Sequence, residues 1–299
     1  MKINFSISLT YGLLLISCAA LSQNTTQLIK VGSVPKILKE TSGLEITSPN
    51  SIWSHNDDTY SFLYNIDSTG KLIRAVYINH KNSGWEDLAK DKNNNIYIGG
   101  FGNNTNTKKD LRIYKISNPD SITERITNAE VISFNYSDQK HFPPPAEEMN
   151  FDADALISFE ESLYVFSKNR TVPFNGYTKV YKLPNSPGKY IAELVDSIFL
   201  CNESMLNCWV TAADISPDNK HLVLLSHDKI WLISCFADGP FSSGRIIEIP
   251  LNHFSHKAAI CFIKDHEVFI TDELEFGLLG GNLYRMDLNQ WVEISCNQN

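Results

Sequence analysis

The sequence contains no Cys-x-x-Cys pair, no Gly-x-Ser-x-Gly elbow and no Gly-Lys-Ser/Thr run. These absences argue against a cysteine-built zinc site, an α/β-hydrolase nucleophile and a phosphate loop. Gly277, Gly280 and Gly281 form a glycine loop, but no Gly-Lys-Ser/Thr follows them. Ser226-His227-Asp228 is not a triad, because adjacent residues in an extended chain point apart. Positive charge is also in short supply. Against 34 Asp and Glu stand 26 Lys and Arg, a net charge of -8. A chain without a basic excess is poorly matched to phosphate backbones, so nucleic acid is not an expected partner. No amphipathic helical period of useful length appears, which weakens any α/β reading. Beyond the N-terminus no run is long and apolar enough to span a bilayer.

What is present suits a folded domain: 42% hydrophobic and 20% charged residues over 299 positions. The first residues read as a targeting segment, with Lys2 ahead of an apolar stretch from Ile3 to Ile16. Two cleavage readings stand. Leu15-Ile16-Ser17-Cys18 fits a lipobox that would lipidate Cys18, and Ala20-Leu21-Ser22 before Gln23 fits a signal-peptidase site. The second is preferred, because an apolar Ala19-Ala20-Leu21 is unusual after a lipidated cysteine. Residues 1–22 are thus expected to be a signal segment and 23–299 a single domain. The location is extracytoplasmic: secreted, periplasmic or tethered to the outer membrane. Export permits disulfides. Cys201 and Cys208 bracket a short polar loop and are the best candidate pair. Five cysteines beyond Cys18 leave at least one thiol over. Cys235 and Cys261, in or beside apolar strands, read as buried small hydrophobes.

The organising stretch runs from Trp85 to Asn104. A short apolar strand is followed by the turn Asp91 to Asn95, a second strand Ile96 to Ile98 and a Gly/Asn loop. The turn is rich in residues that tolerate left-handed backbone, so a hairpin is predicted. Looser copies begin near Leu44, Leu156, Ile215 and Ile260. Repeated four-strand units of this size predict an all-β fold, a β-propeller of five recognisable repeats with five or six blades. Leu28 to Val34 reads as an isolated strand that could pair with the last blade and close the ring. Trp291 to Ser295 is expected as a late strand of the fifth repeat. Pro143 to Pro145 cannot lie inside a ladder and mark a connector. Trp53, Tyr97, Tyr164, Trp231 and Phe269 read as equivalent second-strand positions and as core between blades.

Acids and amides recur at two places in the repeats. Glu86, Asp87, Asp152, Asp154 and Asp214 lie at the start of an inner strand. Asn56, Asp57, Asn103, Asn104, Asn169, Asp228, Asp272 and Glu273 follow a second strand. Loops at the first place converge on a channel mouth, where clustered carboxylates need protons or a cation. Oxygen ligands of mixed type from distant positions suit calcium. The plainer reading is that Asp and Asn are turn residues and repeated blades repeat their turns. Lys168 and Arg170 could hold an anionic substrate or simply pair with neighbouring acids. His55 and His227 occupy matching loop positions and could serve as base or metal ligand. His253 and His256 are given no metal role.

The motifs Ser42-Gly43-Leu44, Trp85 to Asn104, Phe151-Asp152-Ala153-Asp154-Ala155-Leu156, Ser167-Lys168-Asn169-Arg170, Gly176-Tyr177-Thr178-Lys179 and Ala212 to Asp218 carry a resemblance. The chain resembles a group of exported propeller proteins of Bacteroidetes-type bacteria over nearly all of its mature length. More distantly it is similar to the phytase-like esterase and lactonase propellers. That second resemblance implies a central calcium held by Glu86, Asn103, Asn169, Asp214 and Asp272. Ala258-Ala259 stands where the last repeat would supply an acid.

Two functions follow as expectations. One is a calcium-dependent hydrolase of a lactone, ester or phosphoester. Glu86, Asn103, Asp154, Asn169, Asp214 and Asp272 would be its metal ligands, His55 or His227 its base, and Lys168 and Arg170 its substrate grip. The other is a non-catalytic surface module that binds a small molecule, glycan or protein. A monomer is expected in either case.

Overall fold

The turn at Asp91 shows how the chain builds its sheets. The Asp91 Oδ1 accepts the backbone N–H groups of Asn93 and Asn95 at 2.9 and 3.0 Å. Asn94 takes the left-handed conformation, with φ 59°. The two strands it joins pair antiparallel from Asp87↔Gly99 to Lys90↔Ile96, as the sequence predicts.

The computed structural model describes residues 28–236 and 239–293. The expected signal segment, Cys18 and Cys296 lie outside them. Strand β1 (Ile29–Ser33) comes first, and five blades follow. Blade one is β2 (Thr41–Ser48), β3 (Ser51–Asn56), β4 (Phe62–Ile66) and β5 (Leu72–Ile78). Blade two is β6 (Asp87–Lys90), β7 (Ile96–Gly100), β8 (Leu111–Ile116) and β10 (Glu130–Tyr136). The short β9 (Ile126–Thr127) leaves blade two to pair with β5. Blade three is β11 (Asp152–Phe159), β12 (Ser162–Lys168), β13 (Tyr177–Pro184) and β14 (Gly188–Phe199). Blade four is β15 (Ala212–Ile215), β16 (His221–Leu225), β17 (Lys229–Ser234) and β18 (Arg245–Pro250). Blade five is β19 (Lys257–Lys264), β20 (Glu267–Asp272) and β21 (Asn282–Asp287), completed by β1.

The inner strands β2, β6, β11, β15 and β19 are neighbours in turn, and β19 returns to β2. The ring therefore has five blades. The early strand closes it, because β1 pairs antiparallel with β21 from Ile29↔Arg285 to Ser33↔Asn282. The expected strand from Trp291 does not form over the described residues. Asn289–Val292 is a helical turn, and β1 already holds the outer edge of that sheet.

Five apolar clusters lie between successive blades, as propeller packing requires. Trp53 and Trp85 are fully buried between blades one and two, and Trp231 lies between three and four. Trp231 sits on a third strand, not the second strand assigned to it from sequence. On the rim, β14 does two jobs. Its first half, Gly188 to Ala192, pairs parallel with β10, and its second half pairs with β13. Blades two and three thereby become one eight-stranded sheet.

At the axis the inner strands come close. Gly43 has φ +70°, and a Cβ there would lie 2.5 Å from the Leu88 nitrogen. Only a glycine lets blade one approach blade two at that level. Cys201 and Cys208 form a disulfide. Cys261 is free and buried, as expected. Cys235 departs from expectation: it is exposed and disulfide-bonded.

Candidate functional site at the channel mouth

Loops before inner strands and after second strands gather at one end of the channel. Ser42, Asp57, Glu86, Asn104, Asp154, Lys168, Thr211, His256, Ala258 and Glu273 line a depression of about 190 Å³ on the axis. Four carboxylates meet there from four blades. Asp57 follows β3, Glu86 precedes β6, Asp154 lies in β11 and Glu273 follows β20. A bulge between Ala153 and Ala155 interrupts the β11 ladder at Asp154.

One ammonium stands among them. Lys168, at the end of β12, is ion-paired and hydrogen-bonded to Asp154. Burial opposes its charge, but Asp154 and Asp152 outweigh this and hold its pKa above the usual lysine value. The acids are destabilised as anions. Burial, then repulsion from Asp154 and Asp58, pushes Asp57 up to about 7. Burial is also the main cause for Asp154, at about 6, and for Glu273, at about 8. Glu86 is raised well above its ordinary value by burial and by the neighbouring Asp154 and Asp57. Its carboxylate packs against Gly102, where a Cβ would lie 1.6 Å from Oε1. Gly102 thus provides the space that Glu86 occupies.

A groove opens beside the mouth, between the loops of blades four and five. It measures about 560 Å³ and includes Lys168, Trp209, His227, Phe254, His256 and Glu273 in its walls. Lys168, His256 and Glu273 line both depressions, so the two form one continuous surface. Trp209 is a platform. The Lys168 and Arg170 cations lie 5.2 and 4.7 Å from the centre of its ring system, and its Nε1 donates to the Asn169 carbonyl. His256 Nδ1 is 3.3 Å from Glu273 Oε2.

The residues singled out from sequence divide. Glu86, Asp154 and Lys168 reach the mouth. Arg170 stands behind it, with Nε 2.6 Å from Asp152 Oδ2 and a further bond to the Asn104 carboxamide. Asn103 staples its loop: its carboxamide donates to the Phe151 carbonyl and accepts the Lys108 N–H. Asn169 does likewise, donating to the Tyr177 carbonyl and accepting the Thr171 N–H. Asp272 reaches the groove wall, but its oxygens accept from the Asn282 N–H and the Tyr284 hydroxyl.

Asp214 lies deeper. Thr211 supplies blade four's place at the mouth, and Asp214 is three residues further along, roughly 10 Å down an extended strand. There it accepts the Phe262 and Ile215 N–H groups, and burial with repulsion from Glu45 raises it to about 8.

His55 is fully buried and meets Trp85 edge-on, and burial lowers its pKa to about 4. His227 lines the groove; burial and the adjacent His256 lower it to about 3. Among the described residues, no group of three or more His, Cys, Asp or Glu is placed to hold a metal ion.

Sequence reasoning missed His256 and Trp209. The spacing of His256 from His253 is uninformative, because its partner is Glu273, just past the second strand β20. Trp209 lies just past the disulfide loop, and that nearness to the rim was the available signal.

No family model matches the chain, and no curated protein does. Solved structures similar to it include a virginiamycin B lyase from Staphylococcus aureus, at 14% identity and TM-score 0.42 over 84% of this chain and 67% of that one. A Bacteroides thetaiotaomicron protein of unknown function matches at 10% identity and TM-score 0.48, over 83% and 69%. A gluconolactonase from Xanthomonas campestris matches at 10% identity and TM-score 0.45, over 89% and 90%. Likeness at this level transfers no activity, and the propeller assignment rests on the strand pairing itself.

Proposed function

We propose that this chain is an exported propeller that binds a small molecule across its channel mouth and the adjoining groove. The observation that carries the reading is continuity. The groove has the volume of a ligand pocket, and it opens onto the four-blade carboxylate cluster through shared walls. The disulfide at Cys201–Cys208 supports the exported part. Thermal-shift screening of wild type and Trp209→Ala against a small-molecule library tests it. Hits that stabilise wild type and are lost in the variant are expected; a library without such hits refutes the reading.

A second reading, calcium-dependent hydrolysis of a lactone, ester or phosphoester, draws support from the oxygen-only donors of Asp57, Glu86, Asp154 and Glu273. The class of donor fits calcium, but these groups are not placed as a metal cluster, and Lys168 already answers Asp154. The six ligands expected from sequence do not fit as a set, since Asn103, Asn169, Asp214 and Asp272 hold backbone groups. Bound calcium would supply a Lewis acid for a carbonyl or phosphoryl oxygen. Of this chain's residues, His256, oriented by Glu273, is placed to take a proton from water at the mouth. Calorimetric titration of chelator-treated protein tests the reading. Heat saturating below millimolar calcium supports it, and no heat removes it while leaving the first reading intact.

A further inference from the structure

Resting on the binding reading above, we infer that the ligand is an organic cation, a protonated amine carried on a flat apolar ring. The charge balance of the walls gives the first half. Lys168 is already answered by Asp154. Asp57, Glu86 and Glu273 then share no full positive charge of their own at the mouth: Arg170 is paired with Asp152, Lys257 behind the groove donates to the His227 and His253 carbonyls with its pKa lowered to about 8 by burial, and His256 is held toward its neutral form by burial and by Lys168. Glu275 adds a further carboxylate at the groove rim, 3.6 Å from His256 Nδ1. An ammonium entering between Glu273 and Asp57 would favour the charged form of carboxyls that burial and their neighbours otherwise hold toward the protonated form. An anion would find acids there and no free cation to pair with.

The second half comes from the groove. Trp209, half-buried with the Lys168 and Arg170 cations against its ring, lines the groove, and Phe254 and Leu279 stand 60% and 63% exposed along the same walls. Side chains of this size left open around a pocket match an apolar ligand body. An independent polar feature points the same way. His227 lines the groove at 5% exposure, and its Nδ1 has no hydrogen-bond partner. Its ring is covered by Phe254 and His256, at centroid distances of 5.8 and 5.1 Å. A ligand that displaces Phe254 would gain a neutral imidazole nitrogen as a partner. In the tautomer protonated at Nε2, this nitrogen accepts a hydrogen bond from a ring N–H or a hydroxyl on the ligand.

Three probes of matched shape test this: tryptamine, 3-ethylindole and indole-3-acetate, titrated at pH 7.5 into wild type, Trp209→Ala and Glu273→Gln. Binding is followed by calorimetry, and folding of each variant by circular dichroism. The expected result is tryptamine tightest by about tenfold, as one added close charge pair implies. Trp209→Ala should weaken tryptamine and 3-ethylindole together. Glu273→Gln should weaken tryptamine alone, by about fivefold, with 3-ethylindole unchanged. Equal or tighter binding of 3-ethylindole or indole-3-acetate at the Trp209 site overturns the cationic class and leaves the groove as a binding site. Failure of all three probes to bind overturns the ring-amine inference itself, while library hits lost in Trp209→Ala would still uphold the binding reading.

Discussion

Replacing Lys168 by Met isolates the one ammonium at the channel mouth. The substitution keeps an unbranched apolar stem beside Trp209 and removes the charge paired with Asp154. Breaking a buried pair by deleting one partner costs about 3–5 kcal/mol, because a charge is left uncompensated. Here Asp154 has an escape, which is to keep its proton, and the penalty should therefore depend on pH. In wild type Asp154 titrates at about 6, raised from 3.8 by burial. A carboxyl raised in the folded state contributes stability at low pH and loses it as pH rises through the folded value. Wild type loses that contribution only up to pH 6, where Lys168 takes over as partner to the anion. In the variant Asp154 stays protonated to higher pH, so the loss continues. Between pH 6 and pH 7.5 the penalty should grow by about 2 kcal/mol, from 1.36 kcal/mol per pH unit for one retained proton. Asp57, Glu86 and Glu273 feel the same ammonium, and their responses add in the same direction. Urea unfolding of both proteins at pH 5, 6 and 7.5 measures it. A penalty that is flat with pH, or one that shrinks toward pH 7.5, would refute the electrostatic account of the mouth.

Two further outcomes are expected. Asp87→Ala should lower unfolding free energy by about 2–4 kcal/mol in the same assay, because Asp87 accepts the N–H groups of Leu88, Leu156 and Ala213 and their burial would leave them unpaired; a change under 0.5 kcal/mol would contradict this. Gly102→Ala should drive the Glu86 carboxylate out of its space, since the new Cβ overlaps Oε1. A lowered melting temperature with altered tryptamine affinity is expected, and unchanged values for both would show that Glu86 is not held there.

The blade repeat was legible because it depends on local chemistry. Asp91 and Asn94 set their hairpin through hydrogen bonds and a left-handed residue within one turn, and apolar residues on both sides of a short strand require neighbours on both faces. The Cys201–Cys208 bridge was legible for the same reason, being a closure over a short loop. The site was less so, because it depends on depth along a strand and on the direction of each side chain. Glu86 and Asp87 are adjacent, yet one lines the mouth and the other binds backbone of blades three and four. Asp154 and Asp214 look alike in sequence, each early in an inner strand. The bulge in β11 and the different starting points of the two strands put one at the opening and the other well below it. Asn103 and Asn169 followed the turn chemistry of their loops rather than a ligand's.

The placement of β1 has a consequence for how the molecule assembles. Its partner β21 is separated from it by almost the whole chain. Four blades can form from segments already made, but the circle stays broken until the last sheet arrives to receive its earliest strand. Such a distant joining is slow, and a partial ring would expose both the edge of β21 and the apolar side of blade one to other chains. Deleting residues 29–33 should accordingly yield a protein that aggregates during refolding even though every blade but one retains all its strands.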